Sequence, residues 1–263
     1  MLAGLLQGWR RPAVVREAAL PAIADTSVTR AATRTHVGRV RTINEDRVFA
    51  DTARGLWAVA DGMGGHFAGD IAAETIVDSL RRLADDPARF DDDRIETILA
   101  AAGRDIHAVA SGSTRVSGST VVALHIDGAQ GTLFWAGDSR AYRARRGRLE
   151  QLSRDHSLVQ ELIDAGALSP DLAERHPQAH VITRALGASP EVAIERRSVT
   201  VEPGDLYLLC SDGLTRELAD EKIQTILNTS AVDSLEEACT RLIQAANKAG
   251  GHDNITCLLV RVD

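Results

Sequence analysis

The residues of this 263-residue chain best suited to do chemistry are carboxylates standing beside glycine at the ends of apolar, strand-like runs. They occur as Asp61-Gly62, Gly137-Asp138, Asp212-Gly213 and Gly250-Gly251-His252-Asp253-Asn254, with Glu45-Asp46 at an earlier turn. Glycine lets the backbone bend sharply and approach a ligand, while an apolar strand behind it fixes where the carboxylate points. Two unscreened carboxylates about 4 Å apart repel by roughly 4 kcal/mol at an effective dielectric of 20, so a converging set calls for a cation. Oxygen ligands without His or Cys select Mg²⁺ or Mn²⁺ over zinc, and two such ions are a usual device for in-line attack at phosphorus. Spacing alone leaves a second reading open, in which these are unrelated hairpin turns.

The elements that must position these groups follow from periodicity. Residues 29–40 and 55–60 read as strands, the second stopping at Asp61-Gly62. Helical spacing then takes over at 68–83, through Ile71, Thr75, Leu80 and Leu83, and at 94–110, through Ile95, Ile98, Leu99, Ile106 and Val109. Strand-like runs at 120–126, 131–136 and 141–145 suggest a meander. Residues 153–190 form a long polar connection with one helical stretch at 158–165, a kind of connection that more often carries function than fills space. A strand at 206–210, helices at 220–228 and 234–249 and a last strand at 255–262 complete the chain. Strands, a helix pair, strands and another helix pair argue for antiparallel sheets covered by helices, a layered α+β sandwich.

Residues 1–28 differ from the rest. Leu2, Leu5, Leu6 and Trp9 fall at helical spacing before Arg10-Arg11-Pro12, which suits either a frayed or loosely packed leader or a short amphipathic docking or membrane-surface segment. With 44% hydrophobic and 25% charged residues, the chain has the make-up of an ordinary globular domain. Its net charge of -7 disfavours nucleic acid as a general partner. Cys210, Cys239 and Cys257 are too few for a disulfide framework and contain no Cys-x-x-Cys pair. There is no transmembrane run, and the basic residues near the start follow the apolar ones, the reverse of a secretory signal, so a cytoplasmic location is expected.

Several blocks occur together in one order. They are Arg41-Thr42-Ile43-Asn44-Glu45-Asp46, Ala60-Asp61-Gly62-Met63-Gly64-Gly65-His66, Ser117-Gly118-Ser119-Thr120 and Gly137-Asp138-Ser139-Arg140-Ala141-Tyr142. Asp155-His156-Ser157, Ile182-Thr183-Arg184-Ala185-Leu186-Gly187, Ser211-Asp212-Gly213-Leu214 and Asp253-Asn254-Ile255-Thr256 follow. In these blocks the chain, from about residue 29 to 262, resembles the type 2C family of metal-dependent protein serine/threonine phosphatases, especially its compact bacterial members.

The resemblance implies a four-layer αββα domain over 29–263: a central antiparallel β-sandwich flanked by helix pairs, with a dinuclear metal site at one end. It implies that Asp61 bridges two Mn²⁺ or Mg²⁺ ions, that Asp212 and Asp253 complete the first, and that Glu45 and the Gly62 carbonyl hold the second. Asp46 stands behind these ligands within the metal-binding set, Asp138 with Asp212 takes a weaker third ion, and Asn254 orients Asp253. Arg41 holds the substrate phosphate, which suits a guanidinium fork. Residues 153–190 match the family's flap beside the cleft. The reaction implied is hydrolysis of phosphoserine and phosphothreonine by a metal-bridging hydroxide, countering a Ser/Thr kinase. Its partners would be phosphoproteins and a cognate kinase, with a monomer expected.

Eukaryotic relatives carry histidine directly after Asp-Gly as the suspected general acid. Here that position is Met63, and the nearest histidine is His66, which either donates the proton or caps the next helix. Two other readings stand beside this one. A catalytically weak or dead relative would act as a binding module. Cys210-Ser211-Asp212-Gly213-Leu214-Thr215-Arg216 also fits the Cys-x-x-Gly-x-x-Arg pattern of cysteine-dependent phosphatases, with Cys210 as nucleophile and Arg216 on the phosphate.

Overall fold

A computed structural model describes residues 28–64, 68–110, 117–173, 176–230 and 234–263. The appendage expected over 1–28 therefore lies outside the described residues except for Val28, and so does His66. In chain order the elements are β1 (Thr29–His36), β2 (Asp46–Asp51), β3 (Leu56–Met63), α1 (Ala68–Asp85), α2 (Asp92–Ala110), β4 (Gly118–Ser119), β5 (Val121–Asp127) and β6 (Gln130–Ala136). Then come β7 (Arg140–Arg145), β8 (Arg148–Gln151), α3 (Leu158–Asp164), α4 (Pro170–Ala173), β9 (Glu195–Thr200) and β10 (Leu206–Cys210). The short α5 (Asp212–Thr215), α6 (Asp220–Ser230), α7 (Leu235–Ala249) and β11 (Ile255–Val262) end the chain.

Two antiparallel sheets result, one ordered β1-β11-β10-β7-β8 and the other β2-β3-β5-β6-β9, with β4 added beside β3. Their central strands are buried on both faces. In β3, Leu56, Ala58 and Ala60 pack under α1 and α2, while Trp57 and Val59 face the opposite sheet. In β11, Ile255, Cys257 and Leu259 pack under α6 and α7, while Leu258, Val260 and Val262 face inward. Three apolar layers between four layers of structure follow, and this is the αββα sandwich the sequence suggested.

Several expectations need correction. β3 does not stop at Asp61-Gly62; it continues to Met63 because Gly62 and Met63 pair with Ser119 and Gly118. The runs at 121–145 are not one meander, since β6 belongs to one sheet and β7 to the other, and the chain crosses between them at Gly137-Asp138-Ser139. Asp212 begins a helical turn and not a hairpin. Ile71 and Val109, placed on buried helix faces by periodicity, are 57% and 74% exposed, so the stripe facing the sheet is narrower than the pattern implied. The two-residue β4 went unread, and so did three strands of the main sheets, β2, β8 and β9. Each of these three lies at a sheet edge, where one side faces solvent and the sequence is as polar as in Glu195-Arg196-Arg197-Ser198.

Candidate metal centre

The strand-end carboxylates meet at one end of the sandwich, and the backbone explains how. Asp46 and Asp61 sit directly opposite one another in the β2–β3 ladder. The loop before β2 is pinned to the last strand by Asn254. Its Oδ1 accepts from the Glu45 N–H at 2.8 Å, and its Nδ2 donates to the Val37 and Ile43 carbonyls at 2.9 Å each. Asn254 also touches Asp253, as expected, but through its backbone: its N–H donates to Asp253 Oδ1 at 2.8 Å, while its side chain holds the Glu45 loop. Asp46 is buried and ties the two sheets together. Ser211 Oγ donates to its Oδ2 at 2.8 Å and itself accepts from the Thr256 N–H at 3.0 Å.

Gly62 and Gly69 allow β3 and the start of α1 to touch backbone to backbone. A Cβ on Gly62 would lie 2.1 Å from the Gly69 carbonyl oxygen, and one on Gly69 would lie 2.5 Å from Glu45 Oε1. No other residue type fits that approach. Glu45, held in this way, leaves Oε1 buried without a hydrogen-bond partner, and so do Asp46 through Oδ1 and Asp138 through Oδ1. Buried carboxylate oxygens left unpaired are costly, and three at one end of a cleft fit hard cations that take oxygen ligands.

Charge repulsion within the group is visible in its proton affinities. Burial, more than any neighbour, raises Asp46 and Asp138 to about 7 and Asp61 well above the usual carboxylate value. At Asp61 the charges of Asp46, Asp212, Asp138 and Asp253 add to the rise, and Asp212 is raised too, again chiefly by burial. Asp61, Asp212 and Asp253 therefore feel one another, as a shared site requires. Among the described residues, however, no three of these groups are closed around one point as a finished coordination shell. Arginines stand among them. Arg41 Nη2 lies 2.8 Å from Asp253, and Arg216 reaches Asp212, Asp138 and Asp253.

Carboxylates whose folded pKa is raised stabilise the fold while protonated, and that contribution is lost as pH climbs from about 4 through about 7. A bound cation reverses the sign, because it needs the ionised form and competes with protons. The rise in Tm on adding Mn²⁺ to chelator-stripped protein is therefore expected to grow steadily from pH 5 to pH 8 in differential scanning fluorimetry. An increment independent of pH would show that Asp46, Asp61 and Asp138 do not meet the ion.

Beside Asp138 and Asp212 opens a cavity of about 360 Å³ lined also by Ser157, Val159 and His180 of the 153–190 connection. That connection is pinned at both ends, by Arg140 gripping Asp155 through Nε and Nη2 at 2.9 and 2.7 Å, and by the Ser119–Leu186 backbone pair. Met63 lies in β3 beside Gly118 and brings no titratable group to the cleft. Cys210 is fully buried on the helix-facing side of its sheet, with its thiol pushed up to about 12 by burial, so no thiolate nucleophile is available there. Ser211, Asn254 as a loop clamp and Arg216 as a partner of the carboxylates were not read from sequence. Only the i,i+4 spacing of Asp212 and Arg216 carried a signal.

Residues 35–259 match the family described as protein phosphatase 2C. Over 244 residues the chain is 38% identical to the serine/threonine protein phosphatase PstP of Mycobacterium tuberculosis, covering 90% of this chain and 46% of that protein. The chain thus spans about half the length of that relative. Among solved structures, PppA, described as a key regulatory component of T6SS in Pseudomonas aeruginosa, superposes with a TM-score of 0.80 at 40% identity, covering 90% of this chain and 99% of that one. The catalytic domain of PstP in complex with two manganese ions superposes with a TM-score of 0.79 at 35% identity, with the same two coverages.

Proposed function

This chain belongs to the protein phosphatase 2C family, and from that membership we propose that it hydrolyses phosphoserine and phosphothreonine in proteins, using Mn²⁺ or Mg²⁺ bound among its strand-end carboxylates. The observation that carries the reading is the meeting of Asp46, Asp61, Asp138, Asp212 and Asp253 at one end of the sandwich, beside buried carboxylate oxygens with no other partner.

Asp61 would lie between two ions, Asp212 and Asp253 would complete one, and Glu45 with the Gly62 carbonyl the other. Asp138, with Asp212, would take a weaker third, and Asp46 would hold the framework behind them. When bound, the cations supply Lewis acidity and a water acidified toward neutral pH. The chain's own residues do the rest. Arg41 swings from Asp253 onto two phosphate oxygens, orienting the phosphoryl group in line for water. From the connection at 153–190, Ser157, Val159 and His180 line the cleft and would screen one side of it from solvent. His66 is the nearest histidine in sequence able to give the leaving alkoxide a proton.

The working unit is the domain at 29–263, with residues 1–28 as an appendage. We read it as a cytoplasmic monomer that opposes a cognate Ser/Thr kinase. No helix among the described residues is long and apolar enough to cross a membrane. With Mn²⁺ present, a malachite-green assay is expected to detect phosphate release from phosphoserine and phosphothreonine peptides. Cys210→Ser is expected to keep that activity, since the thiol is buried on the helix-facing side of its sheet and stays protonated. No release from either peptide would favour the binding-module reading, and loss on Cys210→Ser the cysteine-dependent one.

A further inference from the structure

Arg216 is joined to three of the carboxylates at once. From the end of the short α5, its Nη2 lies 2.5 Å from Asp212 Oδ2 and 3.5 Å from Asp138 Oδ2, and its Nη1 lies 3.9 Å from Asp253 Oδ2. An ordinary solvent-facing i,i+4 pair would engage Asp212 alone. Here the guanidinium draws together acids from the crossing after β6, from the start of α5 and from the loop before β11. Asp138 and Asp212 are both 7% exposed, and Asp138 still keeps Oδ1 unpaired, so the fork satisfies only part of what these oxygens require. With 32% of its side chain exposed, Arg216 also has an open side toward which it can move.

We infer that Arg216 is an internal counter-cation: it holds the acidic end of the cleft together in the absence of divalent metal and competes for Asp138 and Asp212 with the cation those residues would bind. The reasoning is one of linkage. A guanidinium and a divalent ion cannot share the same carboxylate oxygens at contact distance without strong repulsion, so whatever Arg216 contributes to the metal-free state is subtracted from metal affinity. A planar fork suits the task, because it spreads one charge over several oxygens and is weakly hydrated. The consequence is a site whose acids are kept in place before loading, with the weakest cation position set by an arginine.

The inference rests on the metal reading above and is tested by binding rather than by turnover. Arg216→Gln is compared with wild type by calorimetric Mn²⁺ titration, by metal content after dialysis and by melting in excess EDTA. The expected result is a lower Tm in EDTA together with Mn²⁺ binding about tenfold tighter at the weakest position, or one further ion retained. A lower Tm with an unchanged isotherm would make Arg216 an ordinary structural ion pair and overturn the inference. Weaker Mn²⁺ binding would overturn it too, by making Arg216 a support of the loaded site. If Arg216→Gln fails to fold, Arg216→Lys serves in its place; it keeps the charge without the fork, is expected to shift affinity in the same direction by less, and an unchanged isotherm again overturns the idea. Mn²⁺ binding by neither wild type nor variant would instead bring down the metal reading, and the inference with it.

Discussion

Asp61→Asn is expected to lower kcat/KM on a phosphothreonine peptide by about a thousandfold or more, a loss of several kcal/mol of transition-state stabilisation, while the metal-free protein folds and melts at a higher temperature. The two effects have opposite signs and one cause. Asp61 is raised in pKa by burial and by the charges of Asp46, Asp212, Asp138 and Asp253, so a neutral amide relieves repulsion when no metal is present. The backbone is untouched: the Asp61 carbonyl still accepts from the Thr120 N–H at 2.9 Å and from Ser119 Oγ at 3.0 Å. The amide still offers an oxygen but lacks the charge that the proposed place between two cations would need. Steady-state assays over a Mn²⁺ series, with melting in EDTA, measure both sides. Chelation of wild type should reproduce the loss of activity and added Mn²⁺ should reverse it. A variant with wild-type turnover would show that Asp61 is not a ligand.

Gly213→Ala is expected to destabilise the fold by more than about 3 kcal/mol, the upper end of ordinary overpacking, and to lower Tm by more than about 6 °C at 2–4 °C per kcal/mol for a domain of this size. The residue lies in a helical turn, where the same change at an unobstructed site would be mildly stabilising. The added methyl would instead meet the Asn254 carbonyl oxygen at 1.9 Å and its carbon at 3.0 Å. Neither backbone can retreat easily. Ser211 donates its N–H to the Thr256 carbonyl at 3.1 Å, and Asn254 clamps the Glu45 loop, so a shift at 213 moves Asp212, Asp253 and Glu45 together. Thermal melting and Mn²⁺ titration of the variant check this, and a variant as stable as wild type would show that the β10 and β11 ends are not held rigidly.

How much of this was legible in advance depends on the range over which each signal acts. Central strands such as β3, β10 and β11 announced themselves as apolar runs because both faces are buried, and α1, α2, α6 and α7 did so through their one apolar stripe. The acids beside glycine were visible for a local reason as well, since a carboxylate at the end of an apolar strand is odd wherever it lies. Edge strands β2, β8 and β9 gave no such signal, because half of each faces water.

What the sequence determined by itself was the set of carboxylates, the strands behind them and the family those blocks resemble. Only the tertiary structure decided that β6 and β7 lie in different sheets, that Asn254 clamps a loop 209 residues away, that Ser211 joins Asp46 across 165, and that Arg216 faces three acids instead of a phosphate. Burial and turn formation are written in neighbouring residues. A hydrogen bond or an ion pair between distant ones exists only after the two sheets have packed and brought their ends together.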